Sequence, residues 1–154
     1  MSIIIATGSN QGDRLNNLSL AKKKLSTTFE FIAESRIYKS EAVDYLNQPY
    51  FYNQVLEFKS NDSSATHLMN IILKIEAELG RLRTVPKGPR IIDIDLIFLG
   101  TKVYKDNIVE IPHPRAFNRS FVILPLKELP YYSTIQQSFK IPVSFENNAL
   151  PIIQ

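Results

Sequence analysis

Four apolar, β-branched runs and two stretches with helical apolar spacing follow one another as strand–helix–strand–strand–helix–strand. That order predicts an α+β domain with a split βαβ, ferredoxin-like core: an antiparallel sheet with both helices packed on one face, followed by a C-terminal extension. The 154 residues read as a single domain, 1–154, long enough to bury about 70% of the surface that the unfolded chain exposes. The sequence shows no repeat, linker or low-complexity tract.

The first strand is the apolar run Ser2–Thr7, broken by Gly8-Ser9-Asn10 and Gly12-Asp13. Asp13 is placed to cap a helix, because a short acceptor side chain can take an N–H from the open first turn. Along that helix Leu15, Leu18, Ala21 and Leu25 recur at helical spacing. Phe29–Ser40 and Tyr50–Lys59, rich in aromatic and β-branched residues, read as the second and third strands. Asp62-Ser63-Ser64 opens the second helix, in which Leu68, Ile71, Ile72, Ile75 and Leu79 form one stripe. Gly80 sits where a helix ends in a left-handed residue. Ile91–Leu99 is the fourth strand, and its apolar residues on both faces predict a central, covered position. Beyond Leu126 the pattern fades. Ser138–Phe145 alternates like an edge strand, since Pro142 lacks the N–H that a sheet interior needs.

A composition of 44% hydrophobic and 21% charged residues is that of an ordinary soluble globule. The absence of cysteine excludes disulfides, thiolate catalysis and zinc–sulfur sites, and fits a reducing compartment. Met1–Thr7 carries no basic flank and is too short for a signal peptide or a membrane span, so a cytoplasmic location is expected. The net charge is only +3, less than the four basic residues Arg81, Arg83, Lys87 and Arg90 supply without an intervening acid. Such a local patch suits a small polyanion better than a long nucleic acid.

The chemistry centres on Gly88-Pro89-Arg90-Ile91-Ile92-Asp93-Ile94-Asp95-Leu96. Alternation along a strand puts Asp93 and Asp95 on one face, about 6–7 Å apart. Two bare carboxylates at that distance repel by about 2–3 kcal/mol at an effective dielectric near 20. A covered strand does not carry acids without a partner. A divalent cation held between them, its other positions filled by phosphate oxygens, relieves the repulsion. Beside the basic cluster, this pattern points to magnesium-dependent chemistry on a polyphosphate. The competing structural reading is a pair of solvent-facing acids next to a solvated loop.

Other residues are less specific on their own. The Gly8–Gly12 turn could cradle phosphate at a helix N-terminus, although a strand-to-helix turn needs the same glycines. His113, between Pro112 and Pro114, is either a turn residue or, with Arg115 and Arg119 nearby, a phosphate contact. Asn53 stands in an aromatic strand, where the usual reading is an exposed position. Its amide could instead pair with the edge of a planar heterocycle while an aromatic neighbour stacks on the ring. Glu76 flanks the helical stripe, and its default reading is a solvated acid.

Five blocks carry a family resemblance: GSNQGDRLNNL, NQPYFYNQV, GRLR, GPRIIDIDLIF and IPHPRAFNRSFVILPL, in order across most of residues 3–126. Together they resemble the 6-hydroxymethyl-7,8-dihydropterin pyrophosphokinases of folate biosynthesis. The resemblance implies transfer of the terminal diphosphate of ATP, the co-substrate, to the pterin hydroxymethyl group with release of AMP. It implies two Mg2+ ions on Asp93 and Asp95, and catalytic roles for Arg83, Arg90, Asp93 and Asp95. Glu76, Arg81, Arg83, Lys87, Arg90, His113 and Arg119 are assigned to the nucleotide. Ser40, Val43, Phe51, Asn53, Asp95 and Phe121 are assigned to the pterin. The implied partners are small molecules alone, with no nucleic acid or membrane, and the protein is expected to be a monomer. The chain departs from the family pattern at Lys87, where an aromatic residue is common, in Ser40–Asp44, and at Leu73. Thr84–Gly88 is expected to form a lid over the substrates.

Two other classes compete. A nucleotidyltransferase also combines a Gly-Ser turn with an Asp-x-Asp strand, but Gly8-Ser9 and Asp93 are far apart in sequence. An RNA-binding module on this fold would need the stretch K/R-G-F/Y-G/A-F-V-x-F/Y, which is absent.

Overall fold

The structure is a computed structural model that describes residues 1–42, 47–80 and 89–152. Its first strand, β1 (Ser2–Ser9), is central because nearly every residue in it is buried. Helix α1 (Arg14–Thr28) follows, with the Asp13 carboxylate accepting the Asn16 N–H, as a helix cap should. Leu18, Ala21 and Leu25 face the core, whereas Leu15 is exposed and does not belong to the buried stripe. The second predicted strand is two pieces, β2 (Phe31–Glu34) and β3 (Tyr38–Ser40). The break has a cause: the Ser35 hydroxyl accepts the Val55 N–H, and the Ser35 carbonyl accepts from Gln54 Nε2. Side-chain bonds thus replace the regular ladder at that point. Strand β4 (Phe51–Lys59) pairs with both pieces.

Helix α2 (Ala65–Glu78) starts at Ser64, whose hydroxyl accepts the His67 N–H, and Gly80 follows it at φ +87°. Strand β5 spans Asp93–Leu99 and pairs antiparallel with β1. The sheet order is β5-β1-β4-β3, with β2 also on β4, and every strand pairing is antiparallel. The expectation of a central fourth strand is therefore corrected: β5 is at the edge of this sheet. Its apolar residues on both faces reflect layers above and below. A bulge in the β1–β5 register leaves Ile97 outside the ladder, so Ile97 and Phe98 both join one side while Ile94, Leu96 and Leu99 join the other.

Helices α1 and α2 cover one face, packing Leu18, Leu25, Leu68, Ile72 and Ile75 onto Ile3, Ile5, Leu56, Phe58, Ile94 and Leu96. After a small hairpin, β6 (Tyr104–Lys105) with β7 (Glu110–Ile111), the chain crosses to the other face. There a 3-10 turn at Ala116–Asn118 and helices α3 (Ser120–Leu126) and α4 (Tyr132–Ser138) bring Val122, Ile123, Leu126 and Ile135 onto Ile4, Val55, Ile97 and Phe98. Ser138–Phe145 is not a strand. Phe139, Ile141 and Phe145 pack as an irregular, partly buried segment onto this second core, and that packing, rather than strand pairing, accounts for the pattern. The edge strand lies further on: β8 (Ala149–Pro151) pairs with β3.

A buried carboxylate fastens the second layer. Glu57, 3% exposed, accepts the Ser2 hydroxyl at 2.8 Å and the Tyr131 N–H at 3.0 Å, bridging β1, β4 and the start of α4. Glu57→Ala would strand both donors away from water, at an expected cost of about 2–4 kcal/mol. Urea denaturation checks this against Val103→Ala, an exposed control expected to stay within about 0.5 kcal/mol of the parent. A cost near that of the control would show that the layer does not depend on Glu57.

Candidate active site

Four strand ends converge at one corner of the sheet: the end of β1, the end of β3, and the starts of β4 and β5. The register sets a row across them, with Asp93 opposite Gly8, Gly8 opposite Asn53, and Asn53 opposite Tyr38. Asp95 lies opposite Ala6 in the next layer of the same face. Strand spacing puts the Asp93 backbone about 10 Å from that of Asn53. The face is the one that α3 covers, so Phe121 packs against the second core above the same corner.

Asp93 is not without a countercharge. Arg90 Nε donates to Asp93 Oδ2 at 2.8 Å, and the same guanidinium lies 4.9 Å over the Phe51 ring. The backbone of Arg90 is held by Asn10: the Arg90 N–H donates to Asn10 Oδ1 at 2.7 Å, and the Asn10 N–H donates to the Arg90 carbonyl at 3.1 Å. The Asn10 amide also donates to Gln48 Oε1 and the Pro49 carbonyl. Sequence analysis missed Asn10. The only signal was a polar residue inside a tight turn, which also fits an ordinary loop.

Glu76 is not the solvated helix acid of its default reading. It is 4% exposed, and Oε2 accepts the Ile94 N–H at 2.6 Å, on the outer edge of β5 between the two acids. An edge strand has an open row of N–H groups. Here α2 closes one of them, which fixes the pleat that aims Asp93 and Asp95 to the same side.

His113 is joined to β5 by its N–H, which donates to the carbonyl of the bulged Ile97 at 2.9 Å. Burial lowers the His113 pKa below the ordinary range, Asp95 opposes this, and Arg119 and Arg115 add to it. Its Nδ1 accepts the Arg115 N–H at 3.2 Å, so the neutral ring carries its proton on Nε2 and can donate from there. Asp95, His113 and Arg119 therefore act on one another at this corner, and Arg119 lies 5.6 Å from the Phe121 ring.

Asn53 is 5% exposed, against the usual expectation for a polar strand residue. Its Nδ2 donates to Ser40 Oγ at 2.8 Å and to the Tyr38 carbonyl at 3.2 Å. Ser40 therefore orients Asn53 with its side chain. The Gly8–Gly12 turn is structural: Asn17 Nδ2 donates to Ser9 Oγ and to the Gln11 carbonyl. Gly8 itself matters by being small, because a Cβ there would sit 3.3 Å from Asn53 Oδ1 and 3.5 Å from Phe51.

The structure thus brings together Ser40, Phe51, Asn53, Glu76, Arg90, Asp93, Asp95, His113, Arg119 and Phe121. Val43, Arg81, Arg83, Lys87 and the lid Thr84–Gly88 lie outside the described residues. Among the described residues no group of three or more His, Asp or Glu side chains is placed to hold a metal. The argument from sequence distance against a nucleotidyltransferase loses its force, since strand pairing sets Gly8 opposite Asp93. The RNA-module reading fares worse, because the sheet face that such a module leaves open carries α3 and α4. Among the described residues no helix is long and apolar enough to cross a membrane.

Gly8→Ala is expected to push Asn53 Oδ1 aside and weaken binding of a planar heterocycle there by about 10-fold, roughly the loss of one well-made hydrogen bond. Titrations with a planar heterocycle and with a nucleoside triphosphate check this. An equal loss for both ligands would mean that the added methyl disturbs the corner as a whole.

Comparison with known proteins agrees with this geometry. The sequence profile of the 7,8-dihydro-6-hydroxymethylpterin-pyrophosphokinase (HPPK) family matches residues 4–131. The chain is 33% identical over 145 residues to a 2-amino-4-hydroxy-6-hydroxymethyldihydropteridine pyrophosphokinase of Aquifex aeolicus, covering 90% of each. It is 35% identical over 127 residues to the enzyme of the same name from Bacillus subtilis, covering 81% of this chain and 75% of that one. It is also 36% identical over 129 residues to the folic acid synthesis protein fol1 of Pneumocystis carinii, where 83% of this chain spans only 17% of the relative's length. A crystal structure of a Plasmodium falciparum HPPK-DHPS triple mutant shares the fold, with a TM-score of 0.62 at 15% identity, over 83% of this chain and 39% of that one. The chain belongs to the 7,8-dihydro-6-hydroxymethylpterin-pyrophosphokinase family.

Proposed function

We propose that this chain transfers the terminal diphosphate of ATP, as one unit, to the hydroxymethyl oxygen of 6-hydroxymethyl-7,8-dihydropterin in folate synthesis. The hydroxyl oxygen attacks the β-phosphorus, the bond from that phosphorus to the α–β bridging oxygen breaks, AMP leaves, and the hydroxyl proton is released. The observation that carries the proposal is the row Asp93–Gly8–Asn53 on one sheet face. It sets an acidic end for polyphosphate chemistry about 10 Å from an amide suited to a heterocycle edge, which leaves room for a bicyclic ring between them.

Asn53 presents Oδ1 as an acceptor because Ser40 and Tyr38 engage its Nδ2. Phe121 and Phe51 supply the apolar walls of the pterin pocket. Arg90, Arg119 and His113, the last through Nε2–H, bind the triphosphate and align its β-phosphorus with the hydroxyl. When the triphosphate binds, Arg90 exchanges part of its contact with Asp93 for phosphate oxygens, and its stack on Phe51 holds the guanidinium in place meanwhile. Glu76 acts by fixing the strand that bears the acids, next to the nucleotide.

Asp93 and Asp95 fit Mg2+, which takes one or two carboxylates and completes its shell with phosphate and water. Two ions bound there would neutralise charge on the phosphates and make the hydroxyl more acidic. The basic residues Arg81, Arg83 and Lys87 are proposed nucleotide contacts, with Arg83 neutralising charge on the transferring group, and Val43 is a proposed pterin contact. The strand order β5-β1-β4 followed by β2 and β3 supports a ferredoxin-like core. The protein is proposed to act on small molecules alone, as a cytoplasmic monomer.

AMP is expected from ATP and Mg2+ only when the pterin is present, read by chromatography of the nucleotides. ADP as the product would overturn diphosphate transfer. Asp93→Ala and Asp95→Ala are each expected to lower turnover by at least about 100-fold while the protein stays folded. Near-normal turnover in either variant would remove that residue from the metal site.

A further inference from the structure

Arg119 stands where two short helical pieces meet, its N–H donating to the Ala116 carbonyl at 3.1 Å and its carbonyl accepting the Val122 and Ile123 N–H groups at 3.0 Å. It ends the 3-10 turn and precedes α3 with φ −110° and ψ 106°, an extended residue between helical neighbours. Its own side chain does not cap α3. The open N–H of the first turn is taken from elsewhere: Asn147 Oδ1 accepts the Ser120 N–H at 2.8 Å and the Ser120 hydroxyl at 2.5 Å. On the other side of Arg119, Asn147 Nδ2 donates to the Asn118 carbonyl at 2.8 Å. One amide thus grips the residue before Arg119 and the residue after it, and Ser120 is only 1% exposed.

The segment that carries Asn147 reaches the other side of the site as well. Two residues on, Ala149 pairs with Ser40 in the β3–β8 ladder, and Ser40 orients Asn53. Asn147 also lines, with Ser40, Ala42 and Glu146, a cavity of about 550 Å³. Asn147 itself lies beyond residue 131, where the family match ends.

We propose that Asn147 is a positioning residue for the reaction: by clamping Asn118 and Ser120 it sets the direction of Arg119. The inference rests on the proposed contact of Arg119 with the triphosphate. Without the clamp, the junction rests on the backbone bonds of Arg119 itself, the helical pieces shift against each other, and the guanidinium leaves the line of the transferring group. A shift of about 1 Å at a positioning group can cost about 100-fold in rate.

The test is a double-mutant cycle on the full chain, read as kcat/KM for AMP formation, with circular dichroism melts on every variant. Asn147→Ala is expected to lower kcat/KM by about 10- to 100-fold in the parent. In an Arg119→Ala background, where there is no guanidinium left to misplace, the further loss is expected to be under about 3-fold. A residue that only stabilises the fold would give equal losses in both backgrounds. If Asn147→Ala does not fold, Asn147→Asp takes its place: it keeps an oxygen for Ser120, loses the donor to Asn118, and should show a smaller loss with the same dependence on background. Equal losses in the two backgrounds, or no loss in a folded variant, overturn the role of Asn147. Unchanged turnover in Arg119→Ala alone would overturn the site assignment of Arg119 and the inference with it.

Discussion

Two carboxylates two residues apart on a strand covered on both faces are the constraint around which this molecule is built. Asp93 and Asp95 repel each other, cannot be left dry, and cannot turn away, because Ile94 and Leu96 between and beyond them are committed to the core beneath. The chain meets this with geometry at three points. Arg90 pairs with Asp93, Glu76 fixes the intervening amide of Ile94, and the bulge at Ile97 carries His113 toward Asp95. Each contact comes from a different element. Electrostatic catalysis of this kind depends on groups already in place before the reaction, and separate anchoring limits how far one can drift with another.

The second face of the sheet gives the segment that follows β5 its role. A four-stranded sheet with helices on one face would leave Ile4, Val55, Ile97 and Phe98 in water. Helices α3 and α4 cover them. The covering layer is itself part of the site, since its first turn delivers Arg119 and Phe121. The burial that completes the second core also places Phe121 above the strand ends, and Glu57 fastens the far end of that layer to the sheet.

Much of this was legible in the sequence, and the misses have physical causes. Periodicity located α1, α2, β1 and β4 well, because Leu18, Leu25, Leu68, Ile72 and the residues of β1 face a single large core. It misjudged β5 as central because covering layers, and not only strand neighbours, make a strand apolar on both faces. It read Ser138–Phe145 as a strand because Phe139, Ile141 and Phe145 pack their apolar side chains onto the second core without any ladder. The Asp-x-Asp pair was legible, since alternation alone fixes its geometry. Asn10 and Asn147 were not, because the meaning of an asparagine depends on partners distant in sequence: Arg90 for one and Ser120 for the other.

Those asparagines point to a common device. A carboxylate can only accept and a hydroxyl is short, but a primary amide donates and accepts from one planar group. It can therefore satisfy two backbone groups that secondary structure leaves open. Asn10 does so for the Arg90 N–H and the Pro49 carbonyl, and Asn147 for the two residues that flank Arg119, whereas Asn53 donates from Nδ2 to the Ser40 hydroxyl and the Tyr38 carbonyl and keeps its oxygen toward Gly8. All three are neutral. That matters in a corner already crowded with Asp93, Asp95, Arg90 and Arg119, where another fixed charge would shift the balance among those groups. Neutral clamps hold the charged residues in position without adding to the field they create, so the positions of the arginines and their electrostatics can be set separately.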